Sequence, residues 1–568
     1  MKKSPRKVLS RLKKPKAFFA TVSGILTTKP DIIEWIDREA EAVGIITTKS
    51  YQLFPNEGNR EPIIAEPDTG CFGNAVGLRN PGMEKGVRDL KKLRTKRDLR
   101  ALLNVSLSGS SPDEFCELVE GFDQVADCFE LNFSCPHAEE GYGASIGSDK
   151  TLVKTYVEAV RRITETPFFV KLTPNVPSIG EIAVTAYRAG ADGISGINTV
   201  GPEVYKEPIT GEPVLSNPKG NAGGKSGLWI RETALEKITE IREYLGPDVP
   251  VIGMGGIFSA EDARAMLKAG ADFIGLGSVF AFTARDEIPS FTSALAEDIK
   301  HHNNRSAAFI TMERKARYKH LTVDFSEVWN DLAVLKTKEN LFGEPGQFYF
   351  LWVPGVGEKP FTLAGEEPAR FLIRERGAVS HALCRLKSGD ALMIRGPYGA
   401  PAVPGGDKAW VIAGGTGIAL VPSLALAHQR NSISMDAHLG VKNEGEKQLI
   451  EKHLTRGIKS CFLSDRKDEC TILRQFSRDL EKISLQEKQS TVYYIIGPLP
   501  FMQRAAGICI ENRISSSSIF LCLETRCMCG IGLCGECSCG EKLTCRDGTI
   551  LPLSYLEERA IALEEVCS

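Results

Sequence analysis

The most distinctive chemistry in the sequence is a cluster of cysteines near its end. Five cysteines fall within residues 526–540, RCMCGIGLCGECSCG, and a sixth follows at position 545. Gaps of four, two and seven residues separate four of the six, which is the plant-type spacing of [2Fe-2S] ligands. A structural zinc site, the alternative, usually has two separated cysteine pairs. The ligands that this spacing predicts are Cys529, Cys534, Cys537 and Cys545, and it leaves Cys527 and Cys539 unassigned.

A second group of chemically useful residues stands at the ends of short β-rich runs in the first half. The polar members are Lys49, Asn104, Asn132, Lys171 and Asn198, and glycines at 255, 256, 275 and 277 end the last two runs. Glycine-rich strand ends are typical of phosphate sites, where backbone N–H groups receive the anion. A phosphorylated cofactor with hydrogen-bonding edges is therefore expected. FMN fits, with Lys171 near the negative edge of its reduced ring.

One cysteine outside the cluster follows such a run, in ELNFSCPH (130–137). On position alone, Cys135 is more typical of a small buried hydrophobic residue. Beside Asn132 and before a glycine-rich loop, its thiol is also a candidate general base once a substrate excludes water.

The elements that position these residues alternate strand with helix. The eight β-rich runs lie at 20–24, 43–50, 101–106, 128–134, 168–175, 193–199, 249–256 and 273–278. Helical patterns such as SAEDARAMLKAGA separate them, which indicates parallel βα units. Eight units predict a closed (β/α)₈ barrel whose strand ends share one mouth, and a doubly wound open sheet is the alternative.

This rhythm stops near residue 305. Short alternating strands over 321–405 predict a small antiparallel β-barrel. Strand-turn-helix patterns then return, and GGTGIA resembles a nucleotide-binding glycine turn, which is a weak signal alone. The predicted domains are 1–310, an FMN-binding barrel; 321–405, an antiparallel β-barrel; 406–512, an α/β nucleotide domain; and 513–568, the cluster domain.

Composition limits the other function classes. The chain has 568 residues, net charge −2 and 25% charged residues, so no nucleic-acid partner is expected. Its first sixteen residues hold eight Lys or Arg, but polar residues interrupt the apolar run that follows, so a signal peptide is not expected. The uncharged stretch 409–429 has the glycines and proline of a turn and buried helix rather than a membrane span. We expect a cytoplasmic protein without a membrane partner.

Together these motifs carry a resemblance. NAVGLRNPG (74–82), ELNFSCPH, VKLTPN (170–175), INT (197–199), GGKSG (223–227) and GMGG (253–256) resemble the catalytic subunit of class 1B dihydroorotate dehydrogenase. Residues from about 321 onward resemble that enzyme's electron-transfer subunit, so the chain looks like a fusion of the two. The resemblance implies oxidation of dihydroorotate to orotate in de novo pyrimidine (UMP) biosynthesis. It also implies hydride transfer to FMN, electron transport through [2Fe-2S] and FAD to NAD, and a homodimer.

The resemblance also implies roles for individual residues. Cys135 would be the base that removes the C5 proton. The substrate would be bound by Lys49, Asn74, Ala75, Val76, Gly77, Leu78, Asn132, Asn198 and Thr199. FMN would be surrounded by Ser23, Lys49, Ser50, Asn104, Asn132, Lys171, Ile197, Gly227, Gly255, Gly256, Gly277 and Ser278. FAD would be bound by Lys359, Pro360, Phe361, Thr362, Leu372, Arg374, Gly377 and Ser380.

The second half departs from the family pattern at several positions. Lys359 stands where the flavin motif usually opens with Arg, whose bidentate fork Lys cannot reproduce. Ile373 and Val379 replace an aromatic residue and a glycine, and the usual Cys-Gly-Pro reads Ile496-Gly497-Pro498. Two alternatives remain: a dihydropyrimidine dehydrogenase, and a non-catalytic flavin and iron–sulfur electron-transfer protein.

Overall fold

The structure is a computed structural model that describes residues 3–13, 17–133, 144–402, 405–464 and 471–566, with backbone only at 144 and 145. The predicted base, Cys135, lies outside the described residues. The chain folds as two compact units. The barrel unit comprises Met1–Arg317 together with Ile531–Glu536, and the C-terminal unit comprises Tyr318–Gly530 and Cys537–Ser568.

The barrel unit contains twelve strands and ten α-helices within the described residues. The strands are β1 (Phe19–Thr21), β2 (Val43–Thr47), β3 (Ile64–Asp68), β4 (Cys71–Asn74), β5 (Leu102–Leu107), β6 (Cys128–Asn132), β7 (Phe168–Lys171), β8 (Gly193–Gly196), β9 (Val200–Val204), β10 (Ala222–Gly227), β11 (Val251–Met254) and β12 (Phe273–Leu276). The helices are α1 (Pro5–Lys13), α2 (Pro30–Glu39), α3 (Met83–Lys96), α4 (Pro112–Phe122), α5 (Ala144–Gly147), α6 (Lys150–Ile163), α7 (Ile179–Arg188), α8 (Arg231–Leu245), α9 (Ala260–Lys268) and α10 (Ile288–His301).

Eight of these strands form a closed parallel barrel in the order β1-β12-β11-β8-β7-β6-β5-β2. Closure is visible at Phe19, whose backbone is in register with Ile274 of β12 on one side and Val43 of β2 on the other. The (β/α)₈ prediction is confirmed, and the open-sheet alternative is wrong. The eight predicted runs each overlap one barrel strand.

Local sequence explains where the barrel helices begin. Ser259 precedes α9, and its Oγ accepts a hydrogen bond from the N–H of Asp262 at 3.1 Å, while the Asp262 carboxylate accepts from the N–H of Ser259 at 3.0 Å. This reciprocal capping box satisfies two backbone donors that a helix start leaves unpaired. Ser111 before α4 and Ser178 before α7 cap their helices in a similar way.

The basic N-terminal segment forms α1, which the strand and helix patterns did not predict. Val8 and Leu12 on one face of α1 are fully buried. They pack in one core cluster with barrel residues that include Ile45, Leu102 and Phe169. Burial of two such side chains contributes about 3–6 kcal/mol of hydrophobic stabilisation, so α1 is a structural part of the barrel.

A four-stranded antiparallel sheet, β3-β4-β10-β9, was also missed by the sequence analysis. Its central pair is in register at Asn74 and Gly224 and again at Cys71 and Gly227. Since these strands are rich in glycine and proline, they lack the alternation of apolar residues by which strands are usually detected. The sheet places Asn74, the first residue of the quoted segment 74–82, beside the quoted segment 223–227 on the adjacent strand.

The C-terminal unit contains fifteen strands and nine α-helices within the described residues. The strands are β13 (Lys319–Trp329), β14 (Leu332–Thr337), β15 (Phe348–Val353), β16 (Gly357–Thr362), β17 (Gly365–Glu366), β18 (Ala369–Arg374), β19 (Ala391–Tyr398), β20 (Lys408–Gly414), β21 (Ser434–Val441), β22 (Ser460–Ser464), β23 (Thr491–Ile496), β24 (Ile519–Cys522), β25 (Ser538–Cys539), β26 (Lys542–Leu543) and β27 (Ile550–Pro552). The helices are α11 (Ala378–Cys384), α12 (Val421–Arg430), α13 (Glu444–His453), α14 (Thr471–Glu481), α15 (Leu485–Ser490), α16 (Leu499–Glu511), α17 (Thr544–Asp547), α18 (Leu553–Glu558) and α19 (Leu563–Val566).

Three sheets organise this unit. Strands β16-β15-β19-β13-β14-β18-β17 form a seven-stranded antiparallel sheet, and β25 pairs with β26. A six-stranded sheet has the order β22-β21-β20-β23-β24-β27, in which only β27 is antiparallel to its neighbour. The uncharged stretch 409–429 forms most of β20 and α12, and no helix in the described part of the chain is long and apolar enough to cross a membrane.

Candidate active site

A chain of hydrogen bonds joins several of the predicted FMN-binding residues inside the barrel. Ser50 Oγ is the centre: it lies 3.1 Å from Ser23 Oγ, 3.1 Å from Asn132 Nδ2 and 2.9 Å from Ser106 Oγ. Ser106 donates in turn to Glu130 Oε1 at 3.1 Å. The single hydroxyl proton of Ser106 is donated to Glu130, so Ser106 can only accept from Ser50. Ser50 in turn accepts from Ser23 and Asn132.

The chain ends on a buried ion pair. Glu130 is 1% exposed, and its Oε1 lies 3.7 Å from Lys171 Nζ on the neighbouring strand β7. Its Oε2 accepts from Ser195 Oγ at 2.9 Å. Glu130 therefore supplies the counter-charge of Lys171, the residue predicted to face the flavin.

Glu130, Ser106 and Ser195 were not among the predicted site residues, although a signal for Glu130 was present. Side chains two apart on a strand face the same side, and Glu130 is two residues before Asn132 in ELNFSCPH. A charged residue at an inward-facing position of a barrel strand needs a partner, and Lys171 is the partner.

Asn104, at the middle of β5, has one half of its amide unsatisfied. Nδ2 donates to Thr47 Oγ1 at 3.1 Å, whereas the buried Oδ1 has no hydrogen-bond partner. A buried amide oxygen without a donor is costly, so a ligand N–H is the expected partner. Together with the ammonium of Lys171, this orphan acceptor fits a flavin ring, whose edge carries both donors and acceptors.

The predicted substrate-binding residues 74–78 belong to the small antiparallel sheet and to the loop that follows it. Asn74, at the end of β4, donates to Gly224 O at 3.1 Å and to Ser226 Oγ at 3.3 Å on β10. Ala75 is fully buried, and its N–H bonds to Ile63 O at 2.9 Å. In the following loop, the carbonyl of Val76 accepts a hydrogen bond from the N–H of Asn59, and Gly77 and Leu78 have positive φ.

After β8, the backbone holds Ile197 and Asn198 firmly. The N–H of Ile197 bonds to Met254 O at 3.2 Å, and that of Asn198 bonds to Leu172 O at 3.1 Å. Asn198 Oδ1 accepts from the N–H of Thr199 at 2.9 Å. The hydroxyl of Thr199 faces β10, where a Cβ at Gly224 would lie 2.1 Å from it.

The predicted phosphate-site glycines have packing reasons of their own. A Cβ at Gly255 would lie 2.7 Å from Ala234 Cβ, and one at Gly256 would lie 2.6 Å from Arg231 Cβ, both on or at the start of α8. At Gly277, which precedes a 3₁₀ turn starting at Ser278, a Cβ would approach Val22 to 2.9 Å. These glycines allow close packing of the last βα loops, so they do not by themselves identify a phosphate.

Lys49 follows β2 and is buried, and its ammonium pairs with a residue far away in the sequence. Lys49 Nζ lies 3.8 Å from Glu536 Oε1, and Arg79 Nε lies 3.1 Å from Glu536 Oε2. Glu536 belongs to the segment Ile531–Glu536 of the barrel unit. A second carboxylate, that of Glu57, bonds to Arg79 Nη1 at 2.8 Å. Burial works against the charged form of Arg79, but the two ion pairs outweigh it and raise its pKa.

A cavity of about 440 Å³ adjoins the predicted substrate loop in the barrel unit. Its lining includes Gly77 and Leu78 together with Asn59 and Asn217. The polar side chains around this cavity are amides together with three charged residues, Glu57, Glu114 and Lys219. Such a lining suits a small polar ligand.

In the C-terminal unit, the predicted FAD residues gather where α11 packs against β16 and β18. On β16, Lys359 is exposed, and Pro360, Phe361 and Thr362 are half-buried. Leu372 of β18 is buried. Exposed Gly377 precedes α11, and Ser380 Oγ accepts from its N–H at 3.1 Å.

Arg374 is the charged member of this group. Its Nη1 bonds to Asp331 at 2.6 Å and Glu446 at 3.0 Å, while its buried Nη2 has no partner. The two carboxylates raise its pKa against the effect of burial. This unsatisfied guanidinium nitrogen, beside a half-buried strand, could donate to a phosphate of a flavin nucleotide.

Four cysteines of the C-terminal unit form one chain of neighbouring thiols. The thiol of Cys537 is within hydrogen-bonding reach of Cys527 and Cys545, and Cys545 is also within reach of Cys529. Hydrogen bonds from Cys527 and Cys545 hold the pKa of Cys537 well below its usual range. Throughout the described ranges, no three His, Cys, Asp or Glu side chains converge on a single metal ion. A two-iron cluster takes two thiolates on each iron, and three of the four predicted ligands, Cys529, Cys537 and Cys545, lie in this chain of thiols.

The remaining cysteines of the segment lie in different surroundings. Cys539, left unassigned from the sequence, is fully buried in an apolar core with Tyr493 and Leu551. Cys527, also left unassigned, is the neighbour of Cys537 described above. Cys534 lies in Ile531–Glu536 of the barrel unit, where its carbonyl accepts from Thr28 Oγ1 at 2.6 Å.

Comparison with known proteins agrees with this geometry over the first half of the chain. Residues 13–299 match the sequence model of the family described as dihydroorotate dehydrogenase. The dihydroorotate dehydrogenase B (NAD(+)) catalytic subunit of Pyrococcus abyssi is 40% identical over 259 residues, which are 45% of this chain and 81% of that protein. The same-named subunit of Methanothermobacter thermautotrophicus is 40% identical, over 42% of this chain and 76% of that protein.

A crystal structure of DHODH from Eimeria tenella in complex with ferulenol has a TM-score of 0.41 and 16% identity, over 52% of this chain and 84% of that one. That likeness is too distant to bear on the site. The family match covers half of this chain, and the chain covers about four fifths of the Pyrococcus abyssi subunit. The protein therefore belongs to the dihydroorotate dehydrogenase family.

Proposed function

We propose that this protein oxidises (S)-dihydroorotate to orotate, with FMN in the barrel and [2Fe-2S], FAD and NAD as the further electron carriers. When bound, FMN supplies the hydride acceptor, and the other groups carry the electrons onward. The observation that supports the reaction most strongly is the family match over residues 13–299, which contain the closed barrel and its buried polar network.

The barrel residues would bind and orient the reacting rings. Lys171 would face the flavin edge that becomes negative on reduction, because its ammonium would stabilise that charge. The carboxylate of Glu130 lies 3.7 Å from this ammonium as its counter-charge. Asn104 would accept from a flavin N–H through its unsatisfied Oδ1. The amides of Asn74, Asn132 and Asn198 would bind the amide groups of the substrate ring.

Proton removal is assigned to Cys135. Oxidation of dihydroorotate needs a base for the C5 proton, and Cys135 follows the strand end that carries Asn132. Cys135→Ser should retain FMN and lose most of the turnover. Unchanged turnover would reject the base assignment, whereas the alternative of a non-catalytic electron-transfer protein predicts no turnover of dihydroorotate in either protein.

The C-terminal unit would carry electrons away from the barrel. Support for this comes from the cysteine spacing, the neighbouring thiols of Cys529, Cys537 and Cys545, and the Nη2 group of Arg374, which has no hydrogen-bond partner. The predicted cluster ligands are Cys529, Cys534, Cys537 and Cys545. Iron and acid-labile sulfide analysis of the purified protein should give two of each per chain, and zinc in place of iron would contradict the proposal.

Substrate choice separates the proposal from its nearest alternative. Under anaerobic conditions, dihydroorotate should reduce the bound flavin and support NAD reduction, whereas dihydrouracil should do neither. Reduction by dihydrouracil alone would favour a dihydropyrimidine dehydrogenase. A homodimer remains part of the proposal, and light scattering of the purified protein would test it.

A further inference from the structure

The segment Ile531–Glu536 lies against the mouth of the barrel, within the barrel unit. The N–H of Leu26, after β1, bonds to Leu533 O at 2.8 Å, and Thr28 Oγ1 bonds to Cys534 O at 2.6 Å. The Thr27 carbonyl between them accepts from the N–H of Lys49 at 3.3 Å. Backbone contacts thus fix this segment beside Lys49.

Glu536, the last residue of the segment, places its carboxylate between two cations. One oxygen lies 3.8 Å from Lys49 Nζ and the other 3.1 Å from Arg79 Nε. The three side chains are only 7% to 12% exposed, so the charges interact through a partly dehydrated region. The structure therefore shows which chemistry this pair of cations binds: a carboxylate.

The two contacts differ in strength. The Arg79 contact is a hydrogen-bonded ion pair, whereas 3.8 Å from Lys49 is beyond normal hydrogen-bond length. An ammonium has three donors, so Lys49 can still donate to an incoming ligand. A ligand carboxylate bound to Lys49 would then stand close to the carboxylate of Glu536, and two like charges in a partly buried region repel each other.

We propose that Glu536 is a specificity-determining residue of the substrate site, which lowers the site's affinity for anionic ligands by competing with their carboxylate for Lys49. The inference rests on the proposed function in taking dihydroorotate and orotate as the ligands. It predicts that the cysteine segment contributes a charged side chain to the barrel's substrate site. Product release would also be favoured, since orotate keeps the carboxylate.

The test compares an anionic ligand with a neutral one. Orotate and uracil share the pyrimidine ring, but only orotate carries the carboxylate. Their dissociation constants are measured by calorimetry on the full-length, cofactor-loaded wild type and on Glu536→Gln. Orotate should bind about three- to tenfold more tightly to Glu536→Gln, as expected for removing one nearby like charge, while uracil affinity should not change.

Two further variants control for structure. Glu84→Gln removes an exposed carboxylate from the first turn of α3, a few residues after Arg79, and should change orotate affinity less than twofold. Glu536→Asp keeps the charge and should bind orotate as the wild type does. Flavin content and thermal midpoint are measured for each variant, and raising the salt concentration should shrink the difference between wild type and Glu536→Gln.

Equal or weaker orotate binding by folded Glu536→Gln would overturn the inference, as would an equal gain for uracil. Absence of orotate binding in both proteins would also overturn it. If orotate binds as predicted but dihydroorotate does not reduce the flavin, the proposed function fails and the assignment of Glu536 stands.

Discussion

The buried carboxylate of Glu130 gives the sharpest test of how the barrel interior is built. Glu130→Gln keeps the size of the side chain and removes its charge. The amide oxygen can still accept from one serine, but the ammonium of Lys171, 3.7 Å away, loses its counter-charge. Because Lys171 is only 5% exposed, water cannot replace that charge fully.

The size of the effect follows from the geometry. Two unit charges 3.7 Å apart attract by about 4 kcal/mol at an effective dielectric constant of about 20. Breaking a buried pair by removing one partner typically costs about 3–5 kcal/mol. The amide of Gln and the rotating hydroxyls of Ser106 and Ser195 recover part of this. We expect a loss of about 2–4 kcal/mol in the stability of the barrel unit.

Hydrogen exchange on barrel peptides is the suitable assay, because a chain of two units does not unfold in a single transition. Peptides of β5, β6 and β7 should lose protection in Glu130→Gln. The control is Glu117→Gln on the exposed face of α4, which should leave protection unchanged. A loss below about 0.5 kcal/mol would refute the view that Glu130 balances Lys171.

Three other substitutions test separate parts of the fold. Arg395→Leu should lower the stability of the C-terminal unit by about 3–5 kcal/mol, because it leaves the fully buried carboxylate of Glu358 unpaired, and scanning calorimetry would measure it. Gly227→Ala should cost about 2 kcal/mol or more, since φ is +93° and the new Cβ would lie 2.0 Å from Gly70 O. Asp479→Asn should cost about 1 kcal/mol near neutral pH, because three side-chain hydrogen bonds outweigh burial and lower the pKa of Asp479 to about 2.

Each of these has a matched comparison. Arg395→Leu combined with Glu358→Leu should recover most of the loss, and no recovery would contradict the unpaired-charge argument. Gly24→Ala also has positive φ but meets nothing within 4 Å, so it should cost less than Gly227→Ala. A carboxylate whose pKa is lower in the folded than in the unfolded protein stabilises the folded state at pH values above its unfolded pKa. The stability advantage of the wild type over Asp479→Asn should therefore shrink as pH falls from about 4 toward 2. A stability difference that stays constant with pH would contradict the lowered pKa of Asp479.

The barrel could be predicted from the sequence because its signals are local. Each strand is a short apolar run, each following helix has a periodic apolar face, and residues such as Ser259 mark helix starts. Polar residues at the strand ends, including Asn132 and Lys171, then fall at one mouth once the fold is known. In the structure, hydrogen bonds join Asn132 to Ser50, and Ser106 and Glu130 extend this network to Lys171.

The parts that could not be predicted depend on distant pairing. Glu536 meets Lys49 and Arg79 across more than 450 positions, and no spacing rule connects them. The sheet β3-β4-β10-β9 joins glycine-rich segments about 150 residues apart, where strand propensity is weak. Helix α1 is visible only through Val8 and Leu12, since its many basic residues resemble those of an unstructured tail.

The most direct test of the central claim is an anaerobic titration of the purified, full-length protein with dihydroorotate, followed by NAD, with the absorption spectrum recorded at each step. The account predicts that dihydroorotate bleaches the flavin bands and then the iron–sulfur absorption, and that NAD restores both. A spectrum that dihydroorotate leaves unchanged, while the flavin is present and can be reduced chemically, would contradict it.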